Sequence, residues 1–344
     1  ANSGATVTVV SPAVVPEAPF RPRVMMNTLL AAVVGGMLAV GIAFLVEDQD
    51  DTVKTPDDLR AADLNLLAAV QRVGRDRKNG RKNEGEEGLY TRSQPRSIVS
   101  ESYRTLRTNL QFSSLDTALK SLVITSALAS EGKTTTAANL AVVIAQDGKR
   151  VVLVDADLRR PNVHRIFDLP NRTGLTTALV DDPAAISGLL RNTGIENLQV
   201  LTAGPVPPNP QEMLGSARMA ELLERLLGQA DIVLLDTPPA LAVADANVLA
   251  TRTDGALLVV NTGETRRAAL QQAVEGLTKV GANIVGGVLN MVPTRKGDGY
   301  YFQHHYYYAE YRQEEERPGI RGRARRSRRM EPGSRSREGR IEPV

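Results

Sequence analysis

Three short stretches of this chain hold residue types that together could do phosphate chemistry. The first is Ser126-Ala127-Leu128-Ala129-Ser130-Glu131-Gly132-Lys133-Thr134-Thr135. A phosphate-binding loop needs backbone N–H groups converging on anionic oxygens, a helix N-terminus behind them, and a lysine reaching the terminal phosphates. Gly132-Lys133-Thr134 supplies that core. Lys133 is expected to contact the β- and γ-phosphates of a nucleotide, and the Thr134 hydroxyl to ligate Mg²⁺. Ser130, Glu131, Gly132 and Thr135 are expected to line the same nucleotide site. Ala127 and Ser130 stand where such loops usually carry glycine, so this stretch alone is a moderate signal.

The second stretch, Val151-Val152-Leu153-Val154-Asp155-Ala156-Asp157-Leu158-Arg159, ends an apolar run with two carboxylates and a guanidinium. The third, Ile232-Val233-Leu234-Leu235-Asp236-Thr237-Pro238-Pro239, ends another with a carboxylate. A single charge there is often only a strand's exit into water. Three aspartates on the ligand side of one sheet need compensation, and Mg²⁺ with ATP supplies it. Asp236 fits a Mg²⁺ ligand acting through water. Asp155 and Asp157 could hold Mg²⁺ or accept a proton from an attacking hydroxyl. Arg159 is expected beside the nucleotide. ATP and Mg²⁺ are thus the expected ligands.

The elements that must position these groups follow from patterning. Short apolar runs at 121–125, 151–155, 198–202, 232–236, 256–261 and 284–290 alternate with helical patterns at 134–146, 210–228, 242–251 and 266–280. Apolar strands without alternation are buried on both faces, as in a parallel sheet. The expected fold is a doubly wound, mostly parallel α/β sheet with helices on both faces and its ligand at the carboxyl ends of the strands.

Outside that domain, residues 1–23 form a proline-containing lead-in expected outside the cytoplasm. Residues 24–46 carry no charge. As a helix they would be ~35 Å long, enough for a hydrocarbon core of ~30 Å, so a transmembrane helix is expected. An ATP-using domain belongs in the cytoplasm, which orients the span. Residues 47–97 are expected to be a cytoplasmic linker, with a short helical piece at 54–73 and a flexible tether at 74–97. The nucleotide-binding domain is expected over 98–292, a tyrosine cluster over 293–311 and a basic disordered tail over 312–344. Six tyrosines fall within twelve residues, at Tyr300, Tyr301, Tyr306, Tyr307, Tyr308 and Tyr311.

Composition narrows the choice. The chain has 344 residues, 42% of them hydrophobic, and no cysteine. Thiolate metal sites, disulfide frameworks and the cluster ligands of an iron–sulfur carrier ATPase are therefore excluded. Partition and cell-division-site ATPases carry a further lysine near the start of the loop, where this chain has Leu128.

Taken in order, these motifs resemble the bacterial tyrosine kinases of capsule and exopolysaccharide synthesis. Gly132-Lys133-Thr134 resembles their Walker A motif, Asp155-Ala156-Asp157-Leu158-Arg159 their Walker A′ motif, and Asp236-Thr237-Pro238-Pro239 their Walker B motif. Glu101-Ser102-Tyr103-Arg104-Thr105-Leu106-Arg107 matches a helix that packs subunits of that family into a ring. The lead-in and apolar span resemble the second membrane helix of a polysaccharide co-polymerase, or chain-length determinant, domain. The resemblance implies a protein-tyrosine autokinase with Lys133, Asp155, Asp157 and Asp236 as catalytic residues. It further implies phosphorylation of the six clustered tyrosines between subunits of a homo-oligomeric ring. Glu101, Arg104 and Arg107 would join the subunits. The implied partners are polysaccharide polymerisation and export machinery and a tyrosine phosphatase, at the cell membrane and without specific nucleic acid. The family's first span and external domain lie outside this sequence. A membrane-tethered ATPase, or a chain-length regulator without kinase activity, is the alternative.

Overall fold

A computed structural model describes residues 22–48, 50–73, 88–113, 119–181, 186 and 188–293. The tyrosine cluster, the basic tail and most of the proline-containing lead-in lie outside the described residues.

The chain folds around one sheet of eight strands: β1 (Leu66–Gln71), β2 (Ser121–Ser126), β3 (Val151–Asp155), β4 (Arg191–Asn192), β5 (Leu198–Leu201), β6 (Ile232–Asp236), β7 (Gly255–Asn261) and β8 (Ile284–Val292). The strand order is β1-β8-β7-β2-β6-β3-β5-β4, parallel throughout except for the antiparallel β4–β5 edge. Every residue of β2, β3 and β7 is buried. These strands have helices over both faces, which is why their sequences run apolar without alternation.

The helices are α1 (Val24–Asp48), α2 (Pro56–Arg60), α3 (Tyr90–Ser93), α4 (Ile98–Phe112), α5 (Lys133–Gln146), α6 (Val163–Ile166), α7 (Leu175–Val180), α8 (Pro210–Leu214), α9 (Ala217–Gln229), α10 (Asp245–Ala250) and α11 (Arg267–Lys279). Helix α4 starts where the Ser97 hydroxyl accepts the Ser100 N–H at 3.2 Å, an N-cap that satisfies an otherwise orphaned donor. It buries Val99, Tyr103, Leu106 and Leu110 on one stripe. Helix α5 is buried over nearly its whole length, its Ala-rich sequence allowing close approach to the sheet. Helix α1 is apolar over Val24–Leu45 and none of that stretch is covered by the rest of the fold.

Three expectations are corrected. Residues 54–73 are not a helical piece: only α2 is helical, and Leu66–Gln71 is the edge strand β1, pairing parallel with β8. A short apolar run suits either element, and the open edge of β8 decides it. Second, the described parts of the linker, 50–73 and 88–97, belong to the packed body, while 74–87 of the expected tether lie outside the described residues. Val53, Leu59, Leu64 and Leu67 are buried, and residues 88–93 are pinned to α5. There Asn139 accepts the Thr91 N–H at 3.0 Å and the Thr91 hydroxyl at 2.9 Å, and it donates to the Gly88 carbonyl. Third, the pattern over 210–228 is two helices, because Ser216 ends one turn and caps α9 through the Met219 N–H at 3.2 Å.

Candidate active site

The expected groups converge at the carboxyl ends of the central strands. Asp155 closes β3 and Asp236 closes β6, and the two residues are register partners. Strand β2, on the other side of β6, feeds the loop that precedes α5. Ser126 closes β2, and its hydroxyl donates to the Leu128 carbonyl at 2.7 Å. Ser130 sits in the left-handed region at φ +65°, the conformation that makes glycine common there. Serine tolerates it at a cost of roughly 1–2 kcal/mol. Gly132 is different. At φ +87°, a Cβ on it would lie 2.1 Å from Asn290 Nδ2. Any side chain here would be strained and would have to displace Asn290 from the Glu131 carbonyl.

Lys133 reaches forward from the first turn of α5 and pairs with Asp157 Oδ2 at 3.0 Å. Burial would lower its pKa, but the charges of Asp236, Asp157 and Asp155 outweigh burial and raise it. The ammonium is therefore charged at neutral pH. The carboxylates are held unevenly. Asp155 Oδ2 accepts the N–H groups of Asn162 at 3.1 Å and Val163 at 3.0 Å, while Oδ1 has no partner among the described residues. Asp236 is fully buried; the Thr134 hydroxyl lies near it, but among the described residues no hydrogen bond of normal length reaches either oxygen. Burial, then Asp236, pushes the Asp155 pKa well up. Burial first, with Asp157 adding, lifts Asp236 to about 6, against the opposing Lys133 charge and Thr134 hydroxyl.

Buried carboxylate oxygens without partners call for a cation. Among the described residues no three His, Asp or Glu side chains close into a ready-made metal cage. That suits Mg²⁺, which takes one or two carboxylates and completes its shell with phosphates and water. Thr134, Asp236, Asp155 and Asp157 are the residues that would hold it, and Mg²⁺ would then supply charge neutralisation at the phosphates.

The other expected residues make contacts of their own within the chain. Arg159, close enough to Asp157 to feel its charge, is engaged by a second carboxylate. Its Nε and Nη2 make a forked pair with buried Asp245 at 2.8 and 3.1 Å. It thereby ties the segment after β3 to the start of α10. Glu131 turns inward, 3% exposed, and accepts the Leu128 N–H at 3.0 Å and the Thr265 hydroxyl. Its side chain shapes the loop from inside, which leaves its backbone N–H as the group it can offer to a phosphate. Glu101 and Arg104 pair with each other along α4, and Arg107 pairs with Asp147 at 3.0 Å. Both arginines thus find carboxylates within their own chain. Asp245, Thr265 and Asn290 join the site only through the fold. Asn290 alone left a signal in the sequence, a polar residue late in the apolar run of β8.

A parallel sheet carrying a lysine-tipped loop into a helix and acidic ends on adjacent strands defines a P-loop nucleotide-binding domain. The AAA domain family model AAA_31 matches residues 120–285. The tyrosine-protein kinase YwqD of Bacillus subtilis (strain 168) is 44% identical over 226 residues, covering 64% of this chain and 95% of YwqD. The tyrosine-protein kinase Etk of Escherichia coli (strain K12) is 31% identical over 308 residues, covering 86% of this chain and 42% of Etk. The chain thus spans less than half of Etk's length. The solved kinase domain of Escherichia coli ETK superposes with a TM-score of 0.65 at 33% identity, over 71% of this chain and 97% of that domain. The chain belongs to the bacterial tyrosine kinase family, and it is a protein-tyrosine kinase.

Proposed function

We propose that this chain is a membrane-tethered autokinase that uses ATP and Mg²⁺ to phosphorylate its own clustered tyrosines, Tyr300, Tyr301, Tyr306, Tyr307, Tyr308 and Tyr311. The observation that carries this is the constellation of Lys133 on Asp157 beside two buried aspartates with unpartnered oxygens. A phenol is a weak nucleophile near pH 7 and needs a base. Asp155 has a free Oδ1, and its raised pKa brings it toward the range in which a carboxylate accepts a proton effectively. In the transfer, the phenolic oxygen bonds to the γ-phosphorus as the bond to the ADP oxygen breaks. The phenolic proton passes to Asp155, and Lys133 stabilises charge on the transferring group.

The wider reading rests on resemblance and on physical plausibility. Helix α1 is long and apolar enough to cross a membrane, which would set the kinase domain on the cytoplasmic side. Transfer between subunits of a ring, joined through the α4 face, would regulate polysaccharide polymerisation and export. A cognate phosphatase would reset it. The paired state of Arg104 and Arg107 requires any ring contact to exchange or share these intrachain partners.

The test is to incubate the full chain with ATP and Mg²⁺ and map modified residues by mass spectrometry. Phosphate on the tyrosine cluster, lost in Lys133→Met, is the expected result. Phosphate release with unmodified tyrosines would instead make the chain a tethered ATPase.

A further inference from the structure

The phosphate loop is held by a chain of hydrogen bonds that starts just after the apolar helix and becomes buried at Val53. Residues 50–53 run alongside the turn between β7 and α11. The Val53 N–H donates to the Thr265 carbonyl at 2.8 Å, and the Gly263 N–H donates to the Val53 carbonyl at 2.8 Å. Thr52 and Arg266 form an antiparallel bridge, and the Arg267 N–H donates to the Asp51 carbonyl at 2.9 Å. Arg267 then pairs with Asp58 at 2.8 Å. Val53 is fully buried, so this strap is packed as well as hydrogen-bonded.

Thr265 is the point where the strap meets the site. It is 1% exposed. Its Oγ1 accepts the Asn261 N–H at 3.0 Å, which leaves the hydroxyl proton to go to Glu131 Oε1. The other carboxylate oxygen of Glu131 accepts the Leu128 N–H at 3.0 Å, and Asn290 donates to the Glu131 carbonyl at 2.9 Å. Glu131 immediately precedes Gly132 and Lys133. A carboxylate buried this deeply needs every one of its donors, since an unsatisfied charged acceptor in the interior is costly. Removing the Thr265 hydroxyl takes a donor away from this buried carboxylate and favours an outward swing of Glu131, which takes the loop conformation with it.

We infer that Thr265 is a positioning residue for phosphoryl transfer: its hydroxyl fixes Glu131 and so the phosphate loop, and it is itself held by the Asp50–Val53 strap. The inference rests on the nucleotide site described above. It assigns the residues that follow the membrane helix a direct mechanical connection to that site, two residues removed from Lys133 through Thr265 and Glu131.

The experiment compares Thr265→Ala with Thr265→Ser in the full chain in detergent micelles. Both lose the methyl group and only serine keeps the hydroxyl. Thr265→Val serves as the isosteric partner of the natural residue. The readouts are the Kd for ADP in the presence of Mg²⁺, KM and kcat for ATP, and the thermal midpoint without nucleotide. The alanine variant is expected to show a Kd and KM about tenfold above those of the serine variant, the loss typical of one hydrogen bond to a charged group. The serine variant should stay close to the natural protein. Equal Kd values for alanine and serine overturn the inference, as does a valine variant that binds Mg²⁺·ADP as the natural protein does. If alanine and valine both fail to fold, a serine variant as weak as tenfold below the natural protein also overturns it. A natural protein that binds Mg²⁺·ADP without modifying its tyrosines sinks the autokinase reading while leaving this comparison decisive.

Discussion

Asp236 shows how the site trades stability for function. Its carboxylate is fully buried, neither oxygen has a hydrogen bond of normal length among the described residues, and burial lifts its pKa to about 6 from 3.8. A folded-state pKa above the unfolded one means the group stabilises the fold below pH 3.8, and that contribution is lost as pH rises through about 6. At pH 7 the ionised form therefore costs the nucleotide-free protein on the order of 3 kcal/mol. Asp236→Asn should raise the thermal midpoint of the nucleotide-free protein and lower kcat by about 10²-fold or more. Calorimetry and tyrosine-phosphorylation assays read the two effects, and a variant that loses both stability and activity would contradict this account. The same group sets a pH dependence for the metal. Mg²⁺ requires the carboxylate, so Mg²⁺ affinity measured with saturating ADP should fall as pH drops from 7.5 through about 6. A flat profile would remove Asp236 from the ligand set.

At the scale of elements, the site depends on a sheet edge far from its chemistry. Strand β1 lies against β8, and β8 carries Asn290, which braces Gly132. Gly286 makes the close approach possible. At φ +155°, a Cβ there would lie 2.6 Å from the Asn65 carbonyl oxygen and 2.8 Å from Leu67 Cγ. Gly286→Ala should push β1 away from β8 and destabilise the domain by roughly 1–3 kcal/mol, with a larger loss in nucleotide affinity than stability alone would cause. Urea unfolding and an ADP titration measure the two. Helix α5 is the opposite case, a rigid part. It is buried along its length and anchored to residues 88–93 through Asn139, so the lysine at its start has a fixed base.

At the scale of the whole molecule, the nucleotide site and the apolar helix belong to one continuous stretch of chain, with the Asp50–Val53 strap between them. Each phosphate placed on the tyrosine cluster would add about −1.5 to −2 charges. In a ring, several such additions per subunit would repel. If the chain forms the proposed ring, the assembled species is expected to shrink on incubation with ATP and Mg²⁺, and native mass measurement before and after checks it. An unchanged mass with fully phosphorylated tyrosines would rule out charge-driven disassembly.

The sequence by itself determined the chemistry and the class of fold. Gly132-Lys133-Thr134 sits between an apolar run and a helical pattern, and Asp155 and Asp236 end such runs. Those signals are local, because a loop, its strand and its helix are adjacent in the chain. Only the tertiary structure decided where charged and polar side chains find their partners. Arg159 reaches Asp245 across 86 residues, and Thr265 reaches Glu131 across 134. Arg107 pairs with Asp147, 40 residues along the chain. The same holds for β1, whose Leu66 pairs with Gly287. Six apolar-rich residues satisfy either a helix or a strand, and the free edge of a distant strand settles which. Local pattern encodes which groups a segment offers; long-range folding alone sets which distant group neutralises or covers them.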